Sequence, residues 1–280
     1  MKRRFAAAFG IAATLVLANV ASGADAPSPT PRPAPVTAPS APPLRSLVVA
    51  LDLGSPTLQA GVVRGREVIL ARGYEVALAK LLAKRLGVRV ERFVHVPTKN
   101  RLLAASGASW HVAFGALERQ QGAGAPGALT EPYLTTDVAL VLRRGLSRPR
   151  GLSDLRGAIL CAVRGSTGAA AIPRLGSTAR HLYVVGPERL RTVVRTGACD
   201  AALVPALEVG RFAGRHGAGL GPVAGRIRRG EGLGASIPPG TGLELAAVNR
   251  ELARLRRDGT LRRLAHTWLG LDPAGLRVLR

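Results

Sequence analysis

Gly73-Tyr74-Glu75-Val76-Ala77-Leu78-Ala79-Lys80-Leu81-Leu82-Ala83-Lys84-Arg85-Leu86-Gly87 is the stretch from which the fold can be read. Val76, Ala79, Ala83 and Leu86 recur at helical spacing, and Leu78 and Leu82 widen the same apolar stripe. Lys80, Lys84 and Arg85 lie off the stripe, and the last two suit the negative end of the helix dipole. Gly87 predicts a left-handed stop, with Val88 folding back as its hydrophobic contact. The apolar run Leu47-Val48-Val49-Ala50-Leu51 precedes the helix, and the alternating Val88-Arg89-Val90-Glu91-Arg92-Phe93-Val94 follows it. Strand, helix and strand in that order predict an α/β fold with a parallel sheet covered by helices.

The chain has 280 residues and is 47% hydrophobic, enough for one large core or two smaller ones. Its formal charge of +23 would ordinarily raise nucleic acid as a partner. Only Lys2, Lys80, Lys84 and Lys99 are lysines, and arginine supplies the other 36 basic residues, spread along the whole chain. Aromatics make up 4% of the sequence, too few for a base-stacking surface, so a compositional bias explains the charge better than nucleic acid does. A positive surface still favours anionic ligands.

Lys2-Arg3-Arg4 followed by the apolar run from Phe5 to Leu17 and the small residues Ala21-Ser22-Gly23 reads as a secretory signal peptide, residues 1–23. No cysteine lies near the cleavage site, which argues against a lipoprotein. Residues 24–46 are a proline-rich linker that cannot pack a core. From Pro27 to Ser46, at roughly 3.1 Å per residue, it spans up to ~60 Å. Export permits a disulfide between Cys161 and Cys199, the sole cysteines. Cys161 lies inside a strand and Cys199 just before a different one, so two separate thiols are favoured over a bridge.

Further along, Arg101–Ala105 reads as a short helix, and Trp110–Gly115 as a strand running out into Ala116-Leu117-Glu118-Arg119. Ligands of open parallel sheets sit beyond the carboxyl ends of strands, so Arg119 is a candidate carboxylate clamp, against the plain alternative of a solvated arginine. Val138–Leu142 is a strand. A second α/β unit follows, with strands at Ala158–Val163, His181–Val185 and Asp200–Val204 and a helix from Glu188 to Arg195. Gly165-Ser166-Thr167 at the end of one strand offers N–H groups and hydroxyls to an anion, or is a simple helix cap. Leu243–Arg257 and Leu261–Leu269 read as helices. The five histidines are scattered without metal-site spacing, and no two carboxylates stand out as an acid–base pair.

The order of these pieces from Leu47 to Pro273 resembles the extracytoplasmic solute-binding proteins that serve ABC importers of amino acids and related polar solutes. The motifs are the opening strand with Asp52, Gly73-Tyr74-Glu75-Val76, Leu86-Gly87 and Ser106-Gly107. They continue with Thr130-Glu131-Pro132-Tyr133, Leu152-Ser153-Asp154-Leu155-Arg156-Gly157, Gly165-Ser166-Thr167 and Gly197 to Asp200. Val248-Asn249-Arg250 and Asp258-Gly259-Thr260-Leu261 leading to Trp268-Leu269 complete them. The resemblance implies a type II periplasmic-binding fold: two lobes, each a mainly parallel sheet flanked by helices, with two crossovers near Leu140–Arg144 and Arg226–Gly234. Lobe 1 comprises 47–142 and 230–273, lobe 2 comprises 143–229, and 274–280 is a C-terminal tail.

It also implies a ligand-binding set: Asp52, Thr57, Leu58, Gly115, Ala116, Leu117, Arg119, Gly165, Ser166, Thr167 and Pro205. Leu58 or Thr57 stands where the family places an aromatic ring, and Gln121 competes with Arg119 for the carboxylate-binding position. Pro205 replaces the aspartate that takes an α-amino group. Losing such a charge-assisted partner costs roughly 1.5–3 kcal/mol. The expected ligand is therefore a carboxylate-bearing polar solute other than a free α-amino acid held in the usual way. No cofactor, metal or nucleic acid is expected; a membrane permease is the implied partner, and the protein is expected to be a monomer. Two alternatives share the fold: an accessory protein that works by contact, and a periplasmic dehydratase whose general acid would be Glu131, His111 or Glu208.

Overall fold

The computed structural model describes residues 44–280 other than 106, 120–123, 125–126, 176–178, 213–219 and 231. The expected signal segment and nearly all of the linker lie outside the described residues.

At the centre of the first sheet, β1 (Ser46–Leu51) pairs in parallel with β4 (Arg89–His95) and β5 (Val112–Glu118). Helix α1 (Tyr74–Arg85) is the covering helix that the stripe predicts, and it buries Val76, Leu78, Ala79, Leu82 and Ala83. It ends as Gly87 dictates: Gly87 has φ 73°, and the N–H of Val88 donates to the carbonyl of Ala83 at 2.9 Å.

A hairpin of β2 (Ala60–Arg64) and β3 (Glu67–Arg72) precedes α1 and extends the sheet antiparallel to its edge. On the other side lie β12 (Leu233–Ile237) and β6 (Ala128–Leu129), giving the order β2-β3-β4-β1-β5-β12-β6. α1, α6 (Leu245–Arg257) and α7 (Thr260–Leu269) share one core cluster with this sheet. α2 (Lys99–Ala104) and Trp110 belong to a second cluster with Val48, Ala50 and Ala113 of the same sheet.

The second sheet has the order β11-β7-β10-β8-β9. Its strands are β7 (Val138–Leu142), β8 (Ile159–Val163), β9 (Arg180–Val184), β10 (Ala201–Pro205) and β11 (Val223–Ile227). β8 pairs in parallel with β9 and β10, while β7 runs antiparallel to β10 and β11. The helices of this half are α3 (Thr167–Ala171), α4 (Pro187–Arg195) and α5 (Val209–Phe212).

Three sequence expectations need correction. Val138–Leu142, assigned to lobe 1, is a central strand of the second sheet, so the first crossing lies at 135–137 rather than near Leu140–Arg144. All five of its residues are buried, and an apolar run of that kind carries no mark of which sheet it joins. Residues 274–280 are no loose tail: Arg226 N–H donates to Arg277 O at 2.7 Å and Leu279 N–H to Arg226 O at 2.8 Å, beside β11.

The third concerns Cys161 and Cys199, which form a disulfide with Cα atoms 6.1 Å apart. The turn from α4 bends Cys199 N–H onto Val193 O at 3.1 Å, and Asp200 N–H reaches Ile159 O at 2.9 Å. This folds the approach to β10 back over β8. Both cysteines are buried in the cluster that includes α4 and α5 residues.

Candidate functional site

The expected site residues fall at the carboxyl ends of strands in both sheets, where a parallel α/β arrangement leaves room for a ligand. In the first lobe, Asp52 follows β1 and its Oδ1 accepts the Gly54 N–H at 3.0 Å. Gly115 lies directly against it: a methyl group there would stand 3.3 Å from Asp52 Cγ and 2.6 Å from a Leu102 methyl. Ala116 is next, in the left-handed region with φ 48°. Asp52, Gly115 and Ala116 are thus brought together.

Thr57 is half-buried and precedes Leu58 in a turn where Leu58 and Gln59 N–H both donate to Ser55 O. That turn sends Leu58 into the first lobe's core, and Leu117 is equally buried on the opposite face of the sheet. Expected among the ligand contacts, these two leave only backbone groups for a solute.

Arg119 lies just beyond β5. Its Nη1 donates to Thr130 O at 2.6 Å and stands 3.8 Å from Glu131 Oε1, and its own N–H donates to Gly232 O at 3.1 Å. Its guanidinium is therefore engaged with the Thr130–Glu131 segment. Gln121, its competitor for the carboxylate-binding role, lies outside the described residues.

Beneath this wall is a polar network that the sequence reading did not assign. Glu75 is fully buried; its Oε1 accepts the Ala116 N–H at 3.0 Å and the Tyr133 hydroxyl, and its Oε2 accepts the Gln59 side-chain amide. Gln59 Oε1 in turn accepts the Leu53 N–H at 3.0 Å, and the Tyr74 hydroxyl donates to Tyr133 O at 3.2 Å. Burial pushes the Glu75 carboxyl up to about 7, against the opposing pull of three hydrogen bonds to its ionised form. The Tyr133 phenol is raised well above its ordinary value, first by burial and then by Glu75. A signal was available in the sequence: Glu75, Leu78, Ala79 and Leu82 fall at i, i+3, i+4 and i+7, so a carboxylate lies on the buried stripe of α1.

In the second lobe, Gly165 takes φ 74° and Ser166 Oγ accepts the Ala169 N–H at 3.2 Å. Thr167 Oγ1 is shut off from solvent and makes no hydrogen bond among the described residues. The turn rests on β10 at Gly168, where a Cβ would fall 2.1 Å from Leu203 O. Pro205 ends β10 opposite Val138, and Asp137 precedes that residue in the chain. Asp137 does not substitute for the absent family aspartate. It is buried, ion-paired with Arg226 Nη1, and accepts the Arg229 N–H at 3.1 Å.

The three acids considered for an enzyme do not converge. His111 sits before β5, at the amino end of that strand, with Nδ1 accepting the Val48 N–H at 2.9 Å, and burial lowers its pKa. Glu131 is exposed beside Asn249, which accepts its backbone N–H at 2.7 Å. Glu208 is exposed on the turn after β10. Among the described residues there is no cluster of three His, Cys, Asp or Glu able to hold a metal ion, and no helix long and apolar enough to cross a membrane.

Comparison with known proteins agrees with the architecture. No curated protein matches the sequence. Among solved structures, the chain is similar to the L-cystine solute receptor of Neisseria gonorrhoeae in its unliganded open conformation (19% identity, 81% of this chain and 94% of that one, TM-score 0.64). It is likewise similar to the second substrate-binding domain of Lactococcus lactis GlnP in open conformation (15% identity, 83% and 98%, TM-score 0.66). A third match is a binding component of an ABC transporter from Wolinella succinogenes complexed with lysine (21% identity, 80% and 95%, TM-score 0.53). At these identities the likeness concerns the fold, a two-lobed α/β architecture with one sheet per lobe. The sequence profile of one family, however, matches residues 68–271, most of the chain. The protein belongs to the bacterial extracellular solute-binding proteins, family 3.

Proposed function

We propose that this chain captures a small, polar, carboxylate-bearing solute between its two lobes outside the cytoplasm and delivers it to a membrane ABC permease. Residues 1–23 would direct export and 24–46 would act as a spacer, with the protein working as a monomer and without a cofactor or nucleic acid. The observation that carries the reading is the Gly165–Thr167 turn at the end of β8. There a buried hydroxyl, Thr167 Oγ1, lacks a hydrogen-bond partner among the described residues. A buried polar group left unpaired costs about 1–3 kcal/mol, so a site that keeps one is suited to an incoming acceptor or donor. Solute binding that favours the closed arrangement of the lobes would shift the equilibrium toward it.

The solute class follows from Pro205 and Asp137. The proline offers no charge, and the neighbouring aspartate is committed to Arg226, so an α-ammonium group has no counter-ion there. Lysine, glutamine and cystine are accordingly expected to bind at least about tenfold more weakly than a carboxylate without an α-amino group. Isothermal titration of the mature protein against the standard amino acids and a panel of mono- and dicarboxylates tests this. Micromolar binding of several ordinary amino acids would overturn the solute class, and binding of none of either set would overturn the transport role.

A further inference from the structure

At the carboxyl ends of β1 and β5 the backbone does two unusual things. Leu53 and Ala116, neither of them glycine, take the left-handed region with φ 57° and 48°. Between the pairs Ala113–Ser236 and Leu117–Gly234, β5 also carries more residues than β12 opposite it, a bulge that takes Ala116 out of the regular ladder. Left-handed alanine or leucine is costly and persists only where the surroundings hold it. A bulged N–H that has lost its strand partner needs another acceptor.

Both needs are met from one place. Glu75 Oε1 takes the Ala116 N–H at 3.0 Å, and Glu75 Oε2 holds Gln59, whose own Oε1 takes the Leu53 N–H at 3.0 Å. Lys99 Nζ secures the other side of the bulge by donating to Ala116 O at 3.1 Å. The Glu75 carboxylate also accepts the Tyr133 hydroxyl, and Tyr133 N–H donates to Leu233 O at 2.8 Å in the segment that leaves for the second sheet.

We infer that Glu75 is the positioning residue of the first lobe's ligand-facing wall, fixing Ala116 directly and Leu53 through Gln59 and tying both to the crossing segment at Tyr133. Its role as part of a solute site rests on the proposed function; its hold on the two strand ends does not. Donor–acceptor logic dictates the orientation of every member. Gln59 must turn its oxygen to Leu53 N–H and its NH2 to the carboxylate. In E75Q the new amide oxygen can still accept from Ala116 and Tyr133, but the new NH2 then faces the NH2 of Gln59. Two donors set against each other loosen Leu53 and leave Ala116 held. Exchanging the two side chains restores the pattern. In Q59E/E75Q the amide now on α1 donates to the carboxylate now on the turn, and the second oxygen of that carboxylate accepts the Leu53 N–H.

Residue-resolved amide exchange on the full mature chain tests this without any solute. In E75Q the Leu53 amide is expected to exchange on the order of tenfold to a hundredfold faster, with Ala116 changing less than about threefold. The Q59E/E75Q exchange should return Leu53 to within about threefold of the parent. Q59L, which cuts the link to Leu53 and the Gln59 bond to Glu75 Oε2 but leaves the Oε1 bonds to Ala116 and Tyr133 in place, should accelerate Leu53 far more than Ala116, and it carries the test together with the double variant if E75Q does not fold. Unchanged Leu53 exchange in Q59L, or a double variant no better protected at Leu53 than the single ones, overturns the assignment. The same samples titrated with the amino-acid and carboxylate panel separate the two readings. Restored exchange in a protein that binds no solute leaves the positioning role standing and removes the transport role.

Discussion

The two lobes solve the same problem, tying a pair of parallel strands together, by opposite means. In the first lobe β1 and β5 are held by a buried carboxylate, Glu75, whose hydrogen-bond partners among the described residues are neutral donors. In the second, β8 and β10 are held by the Cys161–Cys199 disulfide, and the strand before the crossing by the Asp137–Arg226 ion pair. A disulfide carries no titratable group, whereas a buried carboxylate held by neutral donors responds directly to pH. The tie in the first lobe is therefore one that pH can adjust, and the disulfide of the second is not.

Removing the disulfide should break this contrast most severely. The bridge spans 38 positions of sequence, for which the chain-entropy relation gives about 4 kcal/mol. C161A/C199A should show that loss in urea unfolding, and a reductant should act on the parent alone. Amide exchange should quicken in β8 and β10 and stay unchanged in β1 and β5; equal loosening of both sheets would mean that the lobes do not differ in this way. Arg226→Leu comes next, at about 3 kcal/mol, because it leaves the Asp137 charge, 2% exposed, without its partner. D137L/R226L should recover part of that loss by thermal melting, and no recovery would contradict the ion pair as the source.

The pH response of the first lobe has a definite sign. Glu75 titrates near 7 in the folded chain against an ordinary value of 4.5, with burial as the main cause and Asp52 a lesser one, while Tyr133, Gln59 and Ala116 pull the other way. The folded state thus holds a proton that the unfolded state has already released. Stability from this group is fully present below pH 4.5 and is lost as pH rises through 7. Between about pH 5 and pH 7 the loss is roughly 2 kcal/mol. Urea midpoints of the parent minus those of E75Q isolate it from His111, whose lowered pKa works in the opposite direction. A flat difference curve would show that Glu75 titrates at its ordinary value.

Why the first helix was legible and the disulfide was not is a matter of range. The stripe of α1, its basic last turn and Gly87 are local signals, and they place Tyr74–Arg85 and the parallel β1–β4 pair around it. The β2–β3 hairpin also had a local signal, Val62-Val63-Arg64-Gly65-Arg66-Glu67-Val68, with glycine at the first position of a two-residue turn. Val62 and Val63 are exposed, so no buried alternation drew attention to it. The sheet that receives β7 and the approach of Cys199 to Cys161 depend on how distant segments stack, which no local pattern encodes. Of the candidate site, the motif positions placed Asp52, Gly115 and Ala116 near one another and Gly165–Thr167 in a turn. Leu58 and Leu117 could not be assigned to cleft or core, because an apolar residue beside a motif reads the same either way.

The smallest expected effect on stability sharpens the comparison at the ligand itself. Thr167→Val replaces Oγ1, which has no partner among the described residues, with a methyl group of nearly the same volume. If that hydroxyl awaits a solute, its removal relieves a desolvated polar group, and stability should hold within about 0.5 kcal/mol or rise slightly. Ser166 should behave differently, since its Oγ caps the turn by accepting the Ala169 N–H. Ser166→Ala should cost about 1 kcal/mol. Solute affinity separates the two again, because a hydroxyl that bonds the ligand costs affinity when lost while a pure cap costs chiefly stability. Thermal melting and titration of both variants therefore form a crossed test. Destabilisation of the free protein by Thr167→Val would mean that the hydroxyl already serves the fold, and the second wall would then have to present its solute contacts from the backbone of Gly165–Thr167 alone.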